Sequence, residues 1–211
     1  MITEEMLSAL RAEMAKHLPK DRYQHTLGVE KEMRALAKIY LPDKVEEAAA
    51  AGLLHDVTKP FSYKEQLEYA DENGVFLDED ERDVPPVIHA KTGAHYVKTH
   101  FSQFATDAVV HAISVHTLAD TDMSVFDMML FLSDFTEENR KYEDCRALRH
   151  RLYTEIESRM ADKEVFLYEL VADACNASLL DLMENKRPIA VKTVRARNKV
   201  LSILRANTGK K

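Results

Sequence analysis

The feature that most restricts the fold of this chain is a helical spacing of apolar residues along almost its whole length. Only five glycines and six prolines interrupt 211 residues, and these are the residue types that weaken or end helices. The sequence therefore predicts an all-α protein. Apolar residues recurring three and four positions apart mark eight segments, the last long enough for two helices: 3–17, 21–40, 43–57, 62–73, 90–100, 104–117, 122–136 and 143–184.

Local signals give some of the helix ends. Asn73-Gly74 is typical of a helix stop. The stretch 75–89 is acidic and contains Pro85-Pro86, so we predict a loop there. Asp122 is the predicted N-cap of the helix that follows it.

The charge distribution divides the chain into two parts. Residues 186–211 contain nine of the 29 Lys and Arg and none of the 36 Asp and Glu, so residues 1–185 carry 20 positive and 36 negative side chains. We predict a core over 1–185 and a basic segment over 186–211 that packs on the same domain or trails from it, and a solvated tail is the interpretation we favour. An acidic core does not indicate a nucleic-acid-binding protein, since that affinity comes mainly from basic surface.

Other sequence features bear on localisation and partners. No apolar run approaches the roughly 20 residues that cross a bilayer, and the amino-terminal stretch is acidic and amphipathic, unlike a signal peptide. Cys145 and Cys175 lie far apart in the sequence, which favours two thiols in a reducing compartment. We expect a cytoplasmic protein without a membrane partner, and a homodimer stays open.

Histidines and aspartates on apolar helix faces are the candidate functional residues. On a helix His25 shares a face with Val29 and Met33, and His116 shares one with Ile113. A single such histidine is more often a hydrogen-bonded core residue, but several buried imidazoles and carboxylates need partners, which a metal ion satisfies together. Nitrogen and oxygen ligands in this mixture suit Fe, Mn or Zn. The candidate metal ligands are His25, His55, Asp56, His89, His116 and Asp134.

These residues stand in motifs that resemble the YqeK-type HD-domain family of symmetrical bis(5'-nucleosyl)-tetraphosphatases. The resemblance covers roughly residues 20 to 200, and the order of the motifs is more specific than any one of them. The matching segments are Arg22–Thr26 (RYQHT), Gly52–Lys59 (GLLHDVTK), His89–Ala94 (HAKTGA), His116-Thr117, Ser133–Arg140 (SDFTEENR), Pro188 and Thr193–Asn198 (TVRARN).

The resemblance implies an all-α HD-domain bundle with two divalent or mixed-valence metal ions. Iron is the first expectation for the metal, with manganese, cobalt or zinc as alternatives. It also implies a dinucleoside tetraphosphate, typically diadenosine tetraphosphate, as the small-molecule substrate, cut to two nucleoside diphosphates. One metal would be held by His25, His55, Asp56 and Asp134, with Asp56 bridging to a second metal held by His89 and His116.

Four further residues are candidates for contacts with phosphate or with the ligands. Lys59 follows the His55-Asp56 pair within a turn, so with Asp56 it is a candidate catalytic residue. Arg22 and Arg140 lie near candidate ligands, and guanidinium groups match phosphate oxygens well. Each arginine could equally make an ordinary surface ion pair. Glu137 is a candidate contact to the substrate site, or a support that orients a ligand or a metal-bound water.

Three positions depart from the family pattern. Ile88 replaces a common aromatic residue, Val115 replaces a common tyrosine, and Leu118–Thr121 replaces a Gly-Arg pair. Because Asp120 would repel a polyphosphate, this loop either turns outward or changes the substrate.

Two other functions remain open. The first is a different HD-type activity, such as a nucleotidase, a dNTP hydrolase or a cyclic-nucleotide hydrolase. The second is a non-catalytic nucleotide- or RNA-associated module, which the basic end favours weakly and the complete ligand set disfavours.

Overall fold

A computed structural model describes residues 2–208 of the protein, and confirms the all-α prediction: no strand occurs within this range. The last three residues of the predicted basic segment, 209–211, and residue 1 of the predicted core lie outside it. The eleven α-helices of the described part are α1 (Glu4–His17), α2 (Lys20–Tyr40), α3 (Val45–Leu54), α4 (Tyr63–Glu72), α5 (Glu79–Asp83), α6 (Ile88–His100), α7 (Asp107–Val115), α8 (Val125–Thr136), α9 (Glu143–Glu155), α10 (Lys163–Glu184) and α11 (Val191–Thr208).

The predicted loop over 75–89 is wrong. It contains α5 and a one-turn 3-10 helix at Pro85–Val87, and α6 begins at Ile88. Asp78 and Glu81 form a reciprocal capping box, in which each side chain accepts a hydrogen bond from the other residue's backbone N–H. This pairing stabilises a short helix in a stretch whose charge and prolines suggested none.

The predicted cap of α8 is also wrong. Ser124, not Asp122, is the N-cap, and it forms a second capping box with Asp127. Serine and aspartate are both good N-caps, so the choice depended on which residue had a partner three positions later.

The centre of the fold is the contact between α2 and α3. Four consecutive alanines of α3, 48–51, are fully buried, and their small side chains let the two helices approach closely. At Gly52 a Cβ atom would lie 2.8 Å from the Cα of Glu30 on α2. Only glycine therefore fits at the end of α3 that leads into His55.

The basic carboxyl-terminal segment forms a helix that packs on the core. Ala196 and Val200 of α11 are buried, and α11 runs against α10. Lys192 lies 2.6 Å from Asp78 Oδ2 and 2.9 Å from Glu81 Oε1, so it ties α11 to α5. Our expectation of a solvated tail is wrong for the described part of this segment.

Two further features of the fold concern the thiols and membrane insertion. Cys145 and Cys175 are buried and unbonded to each other. Across residues 2–208, none of the helices has the length and apolarity that crossing a bilayer requires.

Candidate metal centre

The six candidate ligands come from five elements and meet at one place. His25 lies in α2, His55 and Asp56 follow α3 directly, and His89 lies in the first turn of α6. His116 follows α7 directly, and Asp134 lies in the last turn of α8. Five of the six side chains are buried and Asp134 is half-buried, so the packing of these elements into the core brings the polar ligands to the same interior point.

One side of this cluster is formed by His25, His55 and Asp134, which we call the first half. Their potential ligand atoms all lie within 4.8 Å of one another. Nε2 of His25 is 3.0 Å from Asp134 Oδ1, and Nε2 of His55 is 3.9 Å from the same oxygen. A single ion could therefore contact all three side chains.

The other side is formed by Asp56, His89 and His116, which we call the second half. Oδ1 of Asp56 lies 3.0 Å from His89 Nε2 and 3.9 Å from His116 Nε2. The two Nε2 atoms of His89 and His116 are 3.2 Å apart.

Asp56 connects the two halves. Its Oδ2 lies 3.3 Å from His55 Nε2 and 3.7 Å from His25 Nε2, whereas its Oδ1 faces the second half. The carboxylate is 3% exposed. One oxygen on each side is the arrangement that a bridging carboxylate requires.

In three of the histidines, Nδ1 lies against an oxygen atom, and this contact turns Nε2 towards the centre of the cluster. Nδ1 of His55 donates to the carbonyl of Gly52 at 2.8 Å, and Nδ1 of His116 donates to the carbonyl of Ile113 at 2.7 Å. Nδ1 of His25 lies 3.1 Å from Glu137 Oε1. A proton held on Nδ1 leaves the Nε2 lone pair for a metal, which is a common arrangement around bound metals.

The charges of the cluster favour the protonation states that bind metals. Burial raises the pKa of Asp56, but His55 and His89 outweigh it and hold that pKa well below its ordinary value. Burial beside His89 and His55 lowers the pKa of His116 to about 3. Carboxylates bind metals in their ionised form and imidazoles bind them in their neutral form. Asp56 and His116 therefore need not lose a proton at neutral pH before they bind a metal.

His25 is the exception to this pattern. Burial lowers its pKa, but the carboxylates of Asp134 and Glu137 outweigh burial and raise the pKa to about 9. A metal at His25 must therefore displace a proton at neutral pH.

Unpaired buried atoms fit a bound cation. Nε2 of His25 and Nε2 of His55 are buried and make no hydrogen bond of acceptable geometry. Buried polar atoms normally have partners, so such exceptions call for an explanation. A first-row transition metal is a suitable partner for this imidazole and carboxylate set.

Two arginines and a lysine border the cluster. Arg22 Nη1 donates to Asp56 Oδ2 at 2.7 Å, and Arg140 Nη2 donates to Asp134 Oδ1 at 2.5 Å. Both arginines are about one third exposed, at 34% and 30%. Lys59 Nζ donates to the carbonyl of Pro86 at 3.0 Å and lies 3.1 Å from His89 Nδ1. Burial lowers the pKa of Lys59.

Glu137 lies behind the cluster rather than at its open side. Its side chain is 1% exposed, and its second oxygen accepts hydrogen bonds from the backbone and side-chain nitrogens of Asn139. With both oxygens engaged, the geometry favours the role of orienting His25 over contact with a substrate.

His17 makes a contact next to the cluster that no sequence pattern predicts. Its ring is half-buried, and Nε2 donates to the carbonyl of Val57 at 2.7 Å. The bond ties the end of α1 to the backbone one residue after Asp56. No local signal marks this contact, because the two residues are 40 positions apart.

The three departures from the family pattern stand close in sequence to candidate ligands. Ile88, Val115 and Leu118 are buried. Asp120 lines a small cavity with Glu81 and two lysines, and none of the six candidate ligands lines it. The carboxylate of Asp120 therefore belongs to a space outside the candidate metal cluster.

Comparison with known proteins gives one family match and several relatives. The family model described as HD domain matches residues 22–187. A protein of Halalkalibacterium halodurans named bis(5'-nucleosyl)-tetraphosphatase, symmetrical, is 31% identical over 66% of this chain and 73% of its own length. A Bacillus subtilis protein of the same name is 28% identical over 74% of this chain and 80% of its own length.

Two further similarities are more distant. A protein of Mycoplasma genitalium, named probable nicotinate-nucleotide adenylyltransferase/Ap4A hydrolase, is 30% identical over 58% of this chain but only 33% of its own length. A crystal structure described as a predicted HD superfamily hydrolase involved in NAD metabolism from Clostridium acetobutylicum superposes with a TM-score of 0.79. It covers 92% of this chain and 96% of its own at 22% identity, which shows a shared fold.

Proposed function

The chain belongs to the HD-domain family, and we propose that it is a phosphohydrolase that cleaves dinucleoside tetraphosphates symmetrically with two bound metal ions, iron first. The observation that carries the proposal is the convergence of four histidine Nε2 atoms around the two oxygens of Asp56. HD domains bind divalent metals, and the donor set suits iron, manganese, cobalt or zinc.

The proposed assignment of ligands follows the two halves of the cluster. His25, His55 and Asp134 would hold one ion, His89 and His116 the other, and Asp56 both. When bound, two metals lower the pKa of a water and neutralise charge on phosphoryl oxygens. In the proposed reaction a water would add to a phosphorus of the central anhydride as the bond from that phosphorus to the bridging oxygen breaks, so that one tetraphosphate and one water give two nucleoside diphosphates.

The three cations at the border are the proposed contacts to the polyphosphate. Arg22 and Arg140 each pair with a carboxylate of the cluster and remain partly exposed. We infer that their remaining N–H groups bind phosphate oxygens, for which the guanidinium fork is well shaped. Lys59 is the third contact, beside His89 and the carbonyl of Pro86.

The substrate class is supported by the relatives. Two proteins named as symmetrical tetraphosphatases match most of this chain at 28–31% identity.

The test is product analysis on a panel of nucleotides, using protein loaded with iron or manganese. We expect diadenosine tetraphosphate to give ADP alone. AMP with ATP would contradict the symmetric cut, and preferred turnover of a mononucleotide, a dNTP or a cyclic nucleotide would assign another HD-type activity. Absence of turnover by protein that has bound two metals would favour a non-catalytic binding role.

A further inference from the structure

We propose that Gly28 is a positioning residue for the metal centre, because its missing side chain leaves the space through which Glu137 reaches His25. The inference rests on the proposed metal-binding function. Gly28 lies three residues after His25 in the middle of α2, so it faces the same direction, one turn along the helix.

The space at Gly28 is filled by two side chains that approach from the end of α8. A Cβ atom built on Gly28 would overlap Glu137 Oε2, would lie 3.0 Å from Glu137 Cδ, and would lie 3.1 Å from Asn139 Nδ2. No larger residue therefore fits at position 28 unless Glu137 moves.

Glu137 has little freedom to move while it keeps its contacts. Oε2 accepts from Asn139 N at 2.7 Å and from Asn139 Nδ2 at 2.9 Å, while Oε1 lies 3.1 Å from His25 Nδ1. Asn139 Nδ2 also donates to the carbonyl of Gln24 at 3.3 Å. These contacts form a closed ring that joins α2 to the end of α8, with Gly28 at its centre.

The backbone of Glu137 is fixed from its other side. Nη1 of Arg149 on α9 donates to the carbonyl of Thr136 at 3.0 Å and to the carbonyl of Glu137 at 2.5 Å. A Cβ at Gly28 would therefore displace the carboxylate rather than the whole segment. The displaced carboxylate would no longer hold His25 Nδ1.

Helix propensity alone predicts a different result for Gly28→Ala from the one that the positioning role predicts. Glycine within a helix is destabilising relative to alanine, so a structural role alone predicts that Gly28→Ala raises the melting temperature and leaves the metals unaffected. The positioning role predicts weaker metal binding whatever happens to the melting temperature. The two roles can therefore be told apart.

The experiment measures the affinity of metal-free protein for Co²⁺ by calorimetry in four variants and the wild type. The variants are Gly28→Ala, Glu137→Ala, the double variant, and Ala35→Gly, which alters helix propensity in α2 at a half-buried position two turns further along the helix than Gly28. We expect Gly28→Ala and Glu137→Ala each to weaken Co²⁺ binding about 10- to 100-fold, the usual effect of losing the residue that orients a ligand. The double variant should bind Co²⁺ with the same affinity as the single variant that binds it more weakly. Ala35→Gly should bind Co²⁺ as the wild type does.

Wild-type affinity in Gly28→Ala, or additive losses in the double variant, would overturn the inference. A wild type that binds no Co²⁺ or other divalent metal would instead overturn the proposed function. In that case the ¹⁵N chemical shifts of His25 decide the inference separately. They should change in Gly28→Ala as they do in Glu137→Ala, and unchanged shifts would contradict it.

Discussion

Each half of the candidate metal centre holds one histidine locally and one through a side chain from elsewhere in the chain, but the two distant side chains differ in charge. Nδ1 of His55 in the first half and Nδ1 of His116 in the second half each donate to a carbonyl three residues earlier. His25 of the first half depends on the carboxylate of Glu137, which is 112 residues away. Nδ1 of His89 in the second half instead lies 3.1 Å from Lys59 Nζ.

Local carbonyls hold His55 and His116, and they differ from the distant carboxylate at His25 in how easily they can be lost. A carbonyl within the same helical turn is in place whenever the helix forms, so no single substitution elsewhere removes it. A distant carboxylate can be lost by mutation or by crowding, and it also changes the charge of the histidine that it holds. We expect the affinity of the first half to respond to its surroundings more than that of the second half.

Asp56→Asn is expected to have the largest effect, because it affects both halves. The substitution keeps the size of the side chain but removes the negative charge between two dications. We predict loss of at least one metal and a fall in turnover of about a thousandfold or more, on the order of 4 kcal/mol in the activation free energy, with the helical fold intact. Elemental analysis, circular dichroism and hydrolysis rates measure the three quantities, and two bound metals with normal turnover would show that Asp56 is not a bridge.

Removing one histidine from each half should separate the halves. We expect His116→Ala to keep the metal of the first half and His25→Ala to keep that of the second, so that each variant binds one ion. Loss of both ions from either variant would mean that the halves form one indivisible site. Metal stoichiometry after dialysis distinguishes these outcomes.

Lys59→Ala should affect turnover without affecting metal content. An ammonium group cannot ligate a metal, and loss of one charge-assisted phosphate contact costs about 1.5–3 kcal/mol, or about ten- to a hundredfold in rate. Arg140→Ala is the matched comparison, because Arg140 also holds Asp134 and its loss should weaken the first metal as well. Equal metal loss in both variants would show that Lys59 supports the second half instead of the substrate.

The smallest expected effect is a difference between the two halves in the pH dependence of metal binding. In the metal-free protein the pKa of His25 is about 9 and that of His116 is about 3. Below pH 9 a proton therefore competes with metal at His25, and binding to the first half should tighten about tenfold per pH unit between 7 and 8. The second half should show no such change.

The one-metal variants allow this comparison to be made directly. His116→Ala reports on the first half, and His25→Ala reports on the second. The proton on His25 also stabilises the metal-free fold. This contribution is complete below its ordinary pKa of 6.5 and is lost as pH rises through about 9, so the melting temperature of the metal-free wild type should fall over that range.

The helices, and the convergence of the candidate ligands, could be predicted from sequence where the signal is local. His25 and His116 sit in apolar helical patterns, and the same patterns gave most helix positions. The sequence suggests that Glu137 could orient a ligand, but it does not identify His25 as the partner, since the two residues are 112 positions apart and no local pattern connects them. The helix α5 was missed because its capping box lies in an acidic stretch beside two prolines.

The ion pairs of Lys192 with Asp78 and Glu81 have a consequence for the order of assembly during translation. A ribosome releases the chain from its amino end, so all six ligand residues emerge before α11. Until Lys192 follows them, the segment that leads through Pro86 to His89 lacks its contact with the carboxyl-terminal helix. The nascent protein would thus complete its second half last, after the first half has already been able to take up metal.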